Sequence, residues 1–145
     1  MALSVSTGLR DYMAATGSLK SGLDGGFIKI YSGTAPASAN DPVTGTLLAV
    51  ISLNATATGL TLEGSAGLCG VQKPAAAVWS GTVSNSGVAG YFRHVAPDDT
   101  GTLSSTERRV QGAVGAAGAE LLLSNTTLAA AALQTIDSYT LLIPG

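Results

Sequence analysis

His94 is the single histidine of this 145-residue chain, and histidine is the side chain best suited to proton transfer near neutral pH. Asp98 and Asp99 follow it by four and five residues, so a Ser-His-Asp arrangement is the first chemistry to consider. However, no Gly-x-Ser-x-Gly motif marks a nucleophilic serine. We therefore interpret His94 as an exposed or hydrogen-bonded strand residue and predict that the protein is not an enzyme.

Asp98-Asp-Thr-Gly101 offers the oxygen ligands that Ca²⁺ prefers, but two carboxylates fall well short of the six to eight ligands required. This segment is typical of a turn, with aspartate bonding the backbone and glycine taking a positive φ. A single Cys and a single His leave no ligand set for zinc. The glycine-rich segment 112–118 lacks the lysine of a P-loop and does not match the dinucleotide fingerprint. The sequence therefore predicts a flexible or closely packed connection there, and no catalytic, metal or cofactor site.

Two other single residues invite a functional reading. Trp79 is the only tryptophan, and an exposed tryptophan is the platform of many carbohydrate-binding modules, which usually align several aromatic side chains. With aromatic residues at 5% of the chain, we predict instead that Trp79 packs in the core with its N–H bonded. Cys69, the only cysteine, rules out an intramolecular disulfide framework, which fits a reducing compartment. We predict that it is a small core residue.

The low content of charged residues is the most informative property of the composition. They make up 11% of the chain, against roughly 25% in soluble domains, while Ala, Gly, Ser and Thr make up half of it. A net charge of −2 without a basic cluster argues against nucleic-acid binding. The charge-free stretches 42–62 and 121–136 are interrupted by polar residues, so neither is a continuous apolar run long enough to cross a bilayer. The N-terminus lacks the pattern of a signal peptide. We infer a protein that works packed among other subunits, with a plain soluble domain as the alternative.

Short apolar runs separated by Gly, Pro, Asn and Asp favour a mainly β fold. We predict a single-domain antiparallel β-sandwich or jelly-roll barrel with one short N-terminal helix, capped by Ser6 or Thr7 and followed by Gly17. Residues 1–24 are expected to form a helix or arm, and residues 25–145 the β core. For the segment 128–133 the sequence is compatible with either a single helical turn or a strand edge. Strands are predicted at 27–31, 46–53, 59–62, 77–80, 88–95, 109–114, 120–123 and 134–143, with Tyr139, Leu141 and Ile143 on one face of the last.

Several short sequences, taken together, resemble a family of small tailed-bacteriophage proteins encoded among virion structural genes. They are TGLRDY at 7–12, FIKIYSGTAP at 27–36, DPVTGTL at 41–47, WSGT at 79–82, GVAGYFR at 87–93, RVQGAVG at 109–115 and IDSYTLLIP at 136–144. The resemblance implies a virion component assembled in the host cytoplasm. It supplies no catalytic or ligand-binding residue.

Within that class, small size and a β-rich fold favour a capsid decoration or cement protein that clamps neighbouring capsomers on the outer head surface. The expected partners are the major capsid protein and further copies of the chain, as a dimer or trimer, without nucleic acid or membrane. Residues 1–24 and the loop 32–42 are the predicted arms, so deleting residues 1–24 is expected to abolish capsid binding and leave the β core folded. The alternatives are a tail, baseplate or receptor-contacting component and, less favoured, a carbohydrate-binding module. The candidate inter-subunit contacts are Leu9, Arg10, Tyr12, Met13, Pro36, Pro42, Arg108 and Arg109, the arginine pair being either solvated or paired with a neighbour's carboxylate.

Overall fold

The described structure, a computed structural model, covers residues 3–64, 67 and 69–142 in full and the backbone of Ser65. It contains two short helices, α1 (Thr7–Ala15) and α2 (Leu19–Leu23). The strands are β1 (Ser4–Val5), β2 (Phe27–Ser32), β3 (Leu47–Leu53), β4 (Glu63–Ser65), β5 (Gly70–Gln72), β6 (Trp79–Thr82), β7 (Gly87–Val95), β8 (Arg109–Gly115), β9 (Leu121–Leu122), β10 (Thr127–Leu128), β11 (Leu133–Ile136) and β12 (Thr140–Leu142).

The strands form a sheet of nine and a sheet of three. The large sheet has the order β1-β8-β7-β2-β3-β6-β11, with β10 beside β7 and β9 beside β8, and the small sheet has the order β12-β5-β4. All pairs are antiparallel except β8 with β9. With 39% strand and 10% helix, the predicted mainly β class is confirmed, and the two sheets are consistent with a β-sandwich.

Short apolar runs predicted the long central strands because each of these strands packs apolar side chains into the hydrophobic core. The predictions at 27–31, 46–53, 88–95 and 109–114 correspond to β2, β3, β7 and β8. Two strand predictions need correction. The segment 59–62 contributes only a bridge between Leu60 and Gly26, and the segment 134–143 divides into β11 and β12, which lie in different sheets.

Two further predictions concern the segment 128–133 and the end of the chain. Residues 130–131 form a turn in which Ala131 has a φ of 70°, so 128–133 is a link between β10 and β11. Tyr139 and Leu141 are both buried, as predicted from their shared face. The third member of that set, Ile143, lies outside the described residues.

The N-terminal segment is part of the core and not an arm. Helix α1 begins where the Ser6 hydroxyl accepts the Leu9 N–H at 3.2 Å. Helix α2 was not predicted, because five residues are too few for a periodic apolar pattern; a reciprocal capping box between Ser18 and Ser21 begins it. Strand β1 pairs with β8, and Leu9, Leu19 and Leu23 lie in the main hydrophobic core. The predicted division at residue 24 therefore does not separate two packing units.

Candidate functional site

The candidate contact residues fall into an exposed, a half-buried and a buried group. Arg10 and Pro42 are exposed, and the half-buried group is Tyr12, Met13, Pro36 and Arg108. Leu9 and Arg109 have no exposed surface. The structure thus corrects the candidate set: Leu9 packs in the core, and Arg109 is held inside its own chain, so neither reaches a neighbouring subunit.

Arg108 and Arg109 have different environments despite being adjacent. The Arg108 guanidinium lies 4.8 Å from the centre of the Tyr12 ring, and its Nε donates to the Gly22 carbonyl at 2.8 Å. Arg109 pairs with Asp99 and Glu107, with 0% of the Arg109 side chain and 2% of the Asp99 side chain exposed. Both arginines therefore bind groups of their own chain. Arg109, which is fully buried, corrects the solvated position and the neighbouring carboxylate expected from the sequence, whereas Arg108 stays half-exposed.

Buried polar side chains of β7 and β8 fasten the loop between β2 and β3. Gln111 Nε2 donates to the Pro36 carbonyl at 2.8 Å, and Arg109 Nη1 donates to the Ala39 carbonyl at 3.1 Å. The Tyr91 hydroxyl donates to the Thr44 carbonyl at 2.6 Å and accepts the Thr44 N–H at 2.9 Å. The loop 32–42, predicted to be an arm, is therefore tied down on its own sheet.

Arg93 lies beside this cluster on β7. Its Nε donates to Gln111 Oε1 at 2.8 Å and its Nη2 to the Ser38 carbonyl at 3.4 Å. Among the described residues, Arg93 Nη1 has no hydrogen-bond partner. Burial first, and the positive charge of Arg109 second, lower the pKa of Arg93. Arg93 and Arg109 thus hold the sheet and the loop together, and neither contributes positive charge to the surface.

His94 belongs to a buried aromatic cluster with Trp79, Phe92 and Tyr139. Its Nδ1 lies 3.0 Å from the Tyr139 hydroxyl, and the Tyr139 ring centre lies 5.6 Å from that of Trp79 and 5.9 Å from that of Phe92. Burial lowers the pKa of His94 to about 3 and raises that of Tyr139 well above its ordinary value. His94 is therefore a neutral core residue without access to a substrate, and Asp99 bonds Arg109 in place of His94.

The same cluster bears on the sugar-platform hypothesis. Trp79 is 0% exposed, so it offers no face to a glycan, which agrees with the predicted core position. The predicted bond of its N–H is not found: within the described residues, Trp79 Nε1 has no acceptor.

A pH dependence of stability follows from His94. The unfolded state takes up a proton as the pH falls below the ordinary histidine value of about 6.5, whereas the folded state excludes it down to about pH 3. The free energy of unfolding is therefore expected to fall by about 2 kcal/mol between pH 7 and pH 5 from this residue. Urea unfolding at these pH values measures it. The variant His94→Gln should show a shallower fall, and equal pH dependence in both proteins would contradict the prediction.

The turn prediction at 98–101 is confirmed. Gly101 has a φ of 75° and its N–H donates to Asp99 Oδ2 at 3.1 Å. Cys69, in contrast, is exposed with a φ of 53°, so the predicted core position is wrong. Its place in a turn before β5 explains the difference. The described part of the chain contains no group of three or more His, Cys, Asp or Glu side chains placed to hold a metal ion.

A small apolar cavity lies where β1, α1, α2, β8 and β12 meet. Its volume is about 50 Å³, far below the several hundred Å³ typical of small-molecule sites. Its lining is Leu3, Val5, Met13, Leu19, Val110, Leu141 and Leu142. Its lining reaches the surface, since Leu142 is 51% exposed, and at this size the cavity is a packing gap and not a site for an organic ligand.

The most distinctive surface carries no charge, and we call it the neutral surface. It comprises the link between β6 and β7, the strands β10 and β11, and the turn between those two strands. Backbone bonds hold the two parts together, from Val83 N to the Ala132 carbonyl and from Ala131 N to the Val83 carbonyl, both at 2.8 Å. Its exposed residues are Thr82, Ser84, Asn85, Ser86, Val88, Ser124, Asn125, Thr127, Ala129, Ala130, Ala131, Ala132, Leu133 and Thr135.

Two apolar side chains stand out on the neutral surface, Val88 at 59% exposed and Leu133 at 63%. The contact residues predicted from the sequence do not include this surface. They belong to the N-terminal segment, the loop 32–42 and the arginine pair. The available signal was the charge-free stretch 121–136. Within the described residues, no helix is long and apolar enough to cross a bilayer.

Comparisons with protein-family models, with curated proteins and with solved structures found no match to this chain.

Proposed function

We propose that this chain is a non-enzymatic structural protein of a virion, namely a capsid decoration protein that binds the outer head surface and stabilises contacts between capsomers. The neutral surface is the observation that carries the packing role. The virion setting, with assembly in the host cytoplasm, comes from the resemblance of the sequence to small phage structural proteins.

The composition of the neutral surface makes it inexpensive to cover. Burying a charged group costs several kcal/mol unless it is paired, and this surface has none to bury. Its Ala, Ser and Thr side chains have few rotamers, so ordering them costs little entropy, in contrast to Lys, Glu or Arg. Val88 and Leu133 supply apolar area. Such a surface therefore favours the repeated contacts that a decoration protein makes across a capsid lattice.

Binding by a rigid face replaces the arm-based binding expected from the sequence. Residues 3–24 pack on the core, and the loop 32–42 is bonded to β7 and β8. The proposed partners are the major capsid protein and further copies of the chain. Nucleic acid is not proposed as a partner, because two of the seven basic side chains, Arg93 and Arg109, are fully buried and phosphate binding needs a basic surface cluster.

Binding to capsids assembled without this chain tests the proposal. We expect saturable co-sedimentation of the purified protein with such capsids. The variant Val88→Glu should weaken binding at least about tenfold, because it places an unpaired carboxylate in the interface. The variant Leu103→Glu is the matched control, since Leu103 is 70% exposed but lies outside the neutral surface.

One outcome would count against this role, and another against the surface that carries it. Absence of binding by the unmodified protein would contradict the decoration function. Equal affinity of Val88→Glu and the unmodified protein would contradict the assignment of the neutral surface. Binding to isolated tails in place of heads would favour a tail or baseplate component.

A further inference from the structure

Strand β11 forms one end of the large sheet, and its outer edge has no partner strand among the described residues. On its inner side it pairs with β6, Leu133 opposite Thr82 and Ile136 opposite Trp79. It is the longest of the strands at the sheet ends, with four residues against two in β1 and three in β4 and β12. An open edge of this kind is a template for pairing with another strand.

The register shows which backbone groups face this open edge. In an antiparallel pair, alternate residues direct their N–H and C=O groups to the same side. Val83 N donates to the Ala132 carbonyl, so Gln134 and Ile136, two and four residues further on, face β6. Leu133 and Thr135 therefore direct their N–H and C=O groups outward, and both residues are exposed.

Sheet edges in soluble proteins are usually blocked by a lysine, a proline, a bulge or a covering segment. The sequence of β11, Leu-Gln-Thr-Ile, contains neither charge nor proline, and its register with β6 is regular. The Gln134 side-chain amide donates to the Thr135 carbonyl at 2.8 Å. A backbone N–H of an added strand can replace this local hydrogen bond. The edge is thus left open to pairing.

We propose that β11 pairs antiparallel with β11 of a second copy of this chain, joining two large sheets across a two-fold axis. With Gln134 opposite its own counterpart, Leu133 lies opposite the second copy's Thr135, and each such pair exchanges two backbone hydrogen bonds. The antiparallel edge is self-complementary, as a two-fold contact requires. No other register places both outward-facing residues opposite outward-facing residues.

The surroundings of the edge favour a second copy as its occupant. In a two-fold contact, charges close to the axis meet their own counterparts, and the neutral surface that adjoins β11 has no charge to bring into such a contact. A standard interface buries roughly 800 Å² per partner, about an eighth of the 6806 Å² exposed by one chain. Four residues do not supply this area, so the contact extends over the part of the neutral surface that borders β11 and leaves the remainder for the capsid. The inference rests on the packing role proposed above, and not on the virion setting.

Sedimentation analysis of the purified chain tests the dimer. We expect a dimer that dissociates on dilution, and a dissociation constant raised at least about 100-fold by Leu133→Lys, which puts two lysines into one contact. The control Leu103→Lys makes the same change at an exposed leucine outside the neutral surface and should leave the dimer intact. A monomer at about 100 μM, or an unaffected dimer in Leu133→Lys, would overturn the proposal.

Disulfide crosslinking tests the register in a Cys69→Ser background. Opposed residues of this type have Cα atoms about 4.5 Å apart, within disulfide range, so Gln134→Cys should form a covalent dimer under mild oxidation. Thr135→Cys should not, because the proposed register places it opposite Leu133. Crosslinking of Thr135→Cys alone would overturn the register. A dimer that fails to bind capsids would refute the virion role alone, whereas capsid binding by a strict monomer would refute the dimer alone.

Discussion

Removal of residues 1–24 is expected to unfold the protein and not to release a free β core. The deletion takes Leu9 and Leu23, both 0% exposed, and Leu19 out of the hydrophobic core. Truncation of one buried leucine to alanine costs about 2–5 kcal/mol, and the total stability of a domain is about 5–15 kcal/mol. Circular dichroism and thermal unfolding measure the outcome. A cooperative transition in the truncated chain would contradict it.

The substitution Gly8→Ala tests the same docking without deleting any element. Alanine is the better helix former, so a freely exposed helix would be stabilised. In the structure a methyl group at Gly8 would overlap the Thr106 carbonyl, which forces α1 away from the loop before β8. We expect a loss of about 1–3 kcal/mol in urea unfolding. The control Ala14→Gly, at an exposed position of α1, should cost about 0.5–1 kcal/mol through helix propensity alone.

Replacement of Arg109 by methionine is expected to lower the free energy of unfolding by about 3–5 kcal/mol. The substitution leaves Asp99, with 2% of its side chain exposed, without its cationic partner. It also removes the donors to the carbonyls of Ala39 and Thr102. The matched control Arg10→Met changes an exposed arginine and should stay within about 0.5 kcal/mol.

A double-mutant cycle separates the unpaired charge from the lost loop contacts. Asp99→Asn removes the carboxylate charge and keeps an oxygen for the Gly101 N–H. The double variant Asp99→Asn/Arg109→Met should be more stable than the sum of the single losses predicts, by at least about 1.5 kcal/mol. Additive losses would show that the pair contributes no coupling, and that Arg109 acts only through the loop.

The parts of the fold that the sequence predicts are those in which local pattern and tertiary environment agree. Strands β2, β3, β7 and β8 carry apolar residues on a buried face, and the turn at 98–101 has the residues that such a turn needs. The second helix was missed because its five residues carry no period. The end of the chain was predicted as one strand although Asp137 and Ser138 interrupt the alternation between Ile136 and Tyr139, where the chain passes from the large sheet to the small one.

The surface assignments were less predictable, for a physical reason. Whether an arginine faces solvent depends on partners distant in sequence: Ala39, bonded by Arg109, is 70 residues away. The neutral surface likewise joins segments around residues 85 and 130, which only strand pairing brings together. A charge-free stretch in the sequence indicates a candidate contact surface, but the fold determines which stretches combine.

The number of copies of this chain in purified virions, relative to the major capsid protein, tests the central claim most directly. Quantitative mass spectrometry of particles that encode the chain gives this ratio. The decoration role predicts a ratio near one or a simple fraction of one, since every lattice position offers an equivalent site. A ratio at least about ten times lower would place the chain on the tail or portal, and absence from the particle would contradict a virion role altogether.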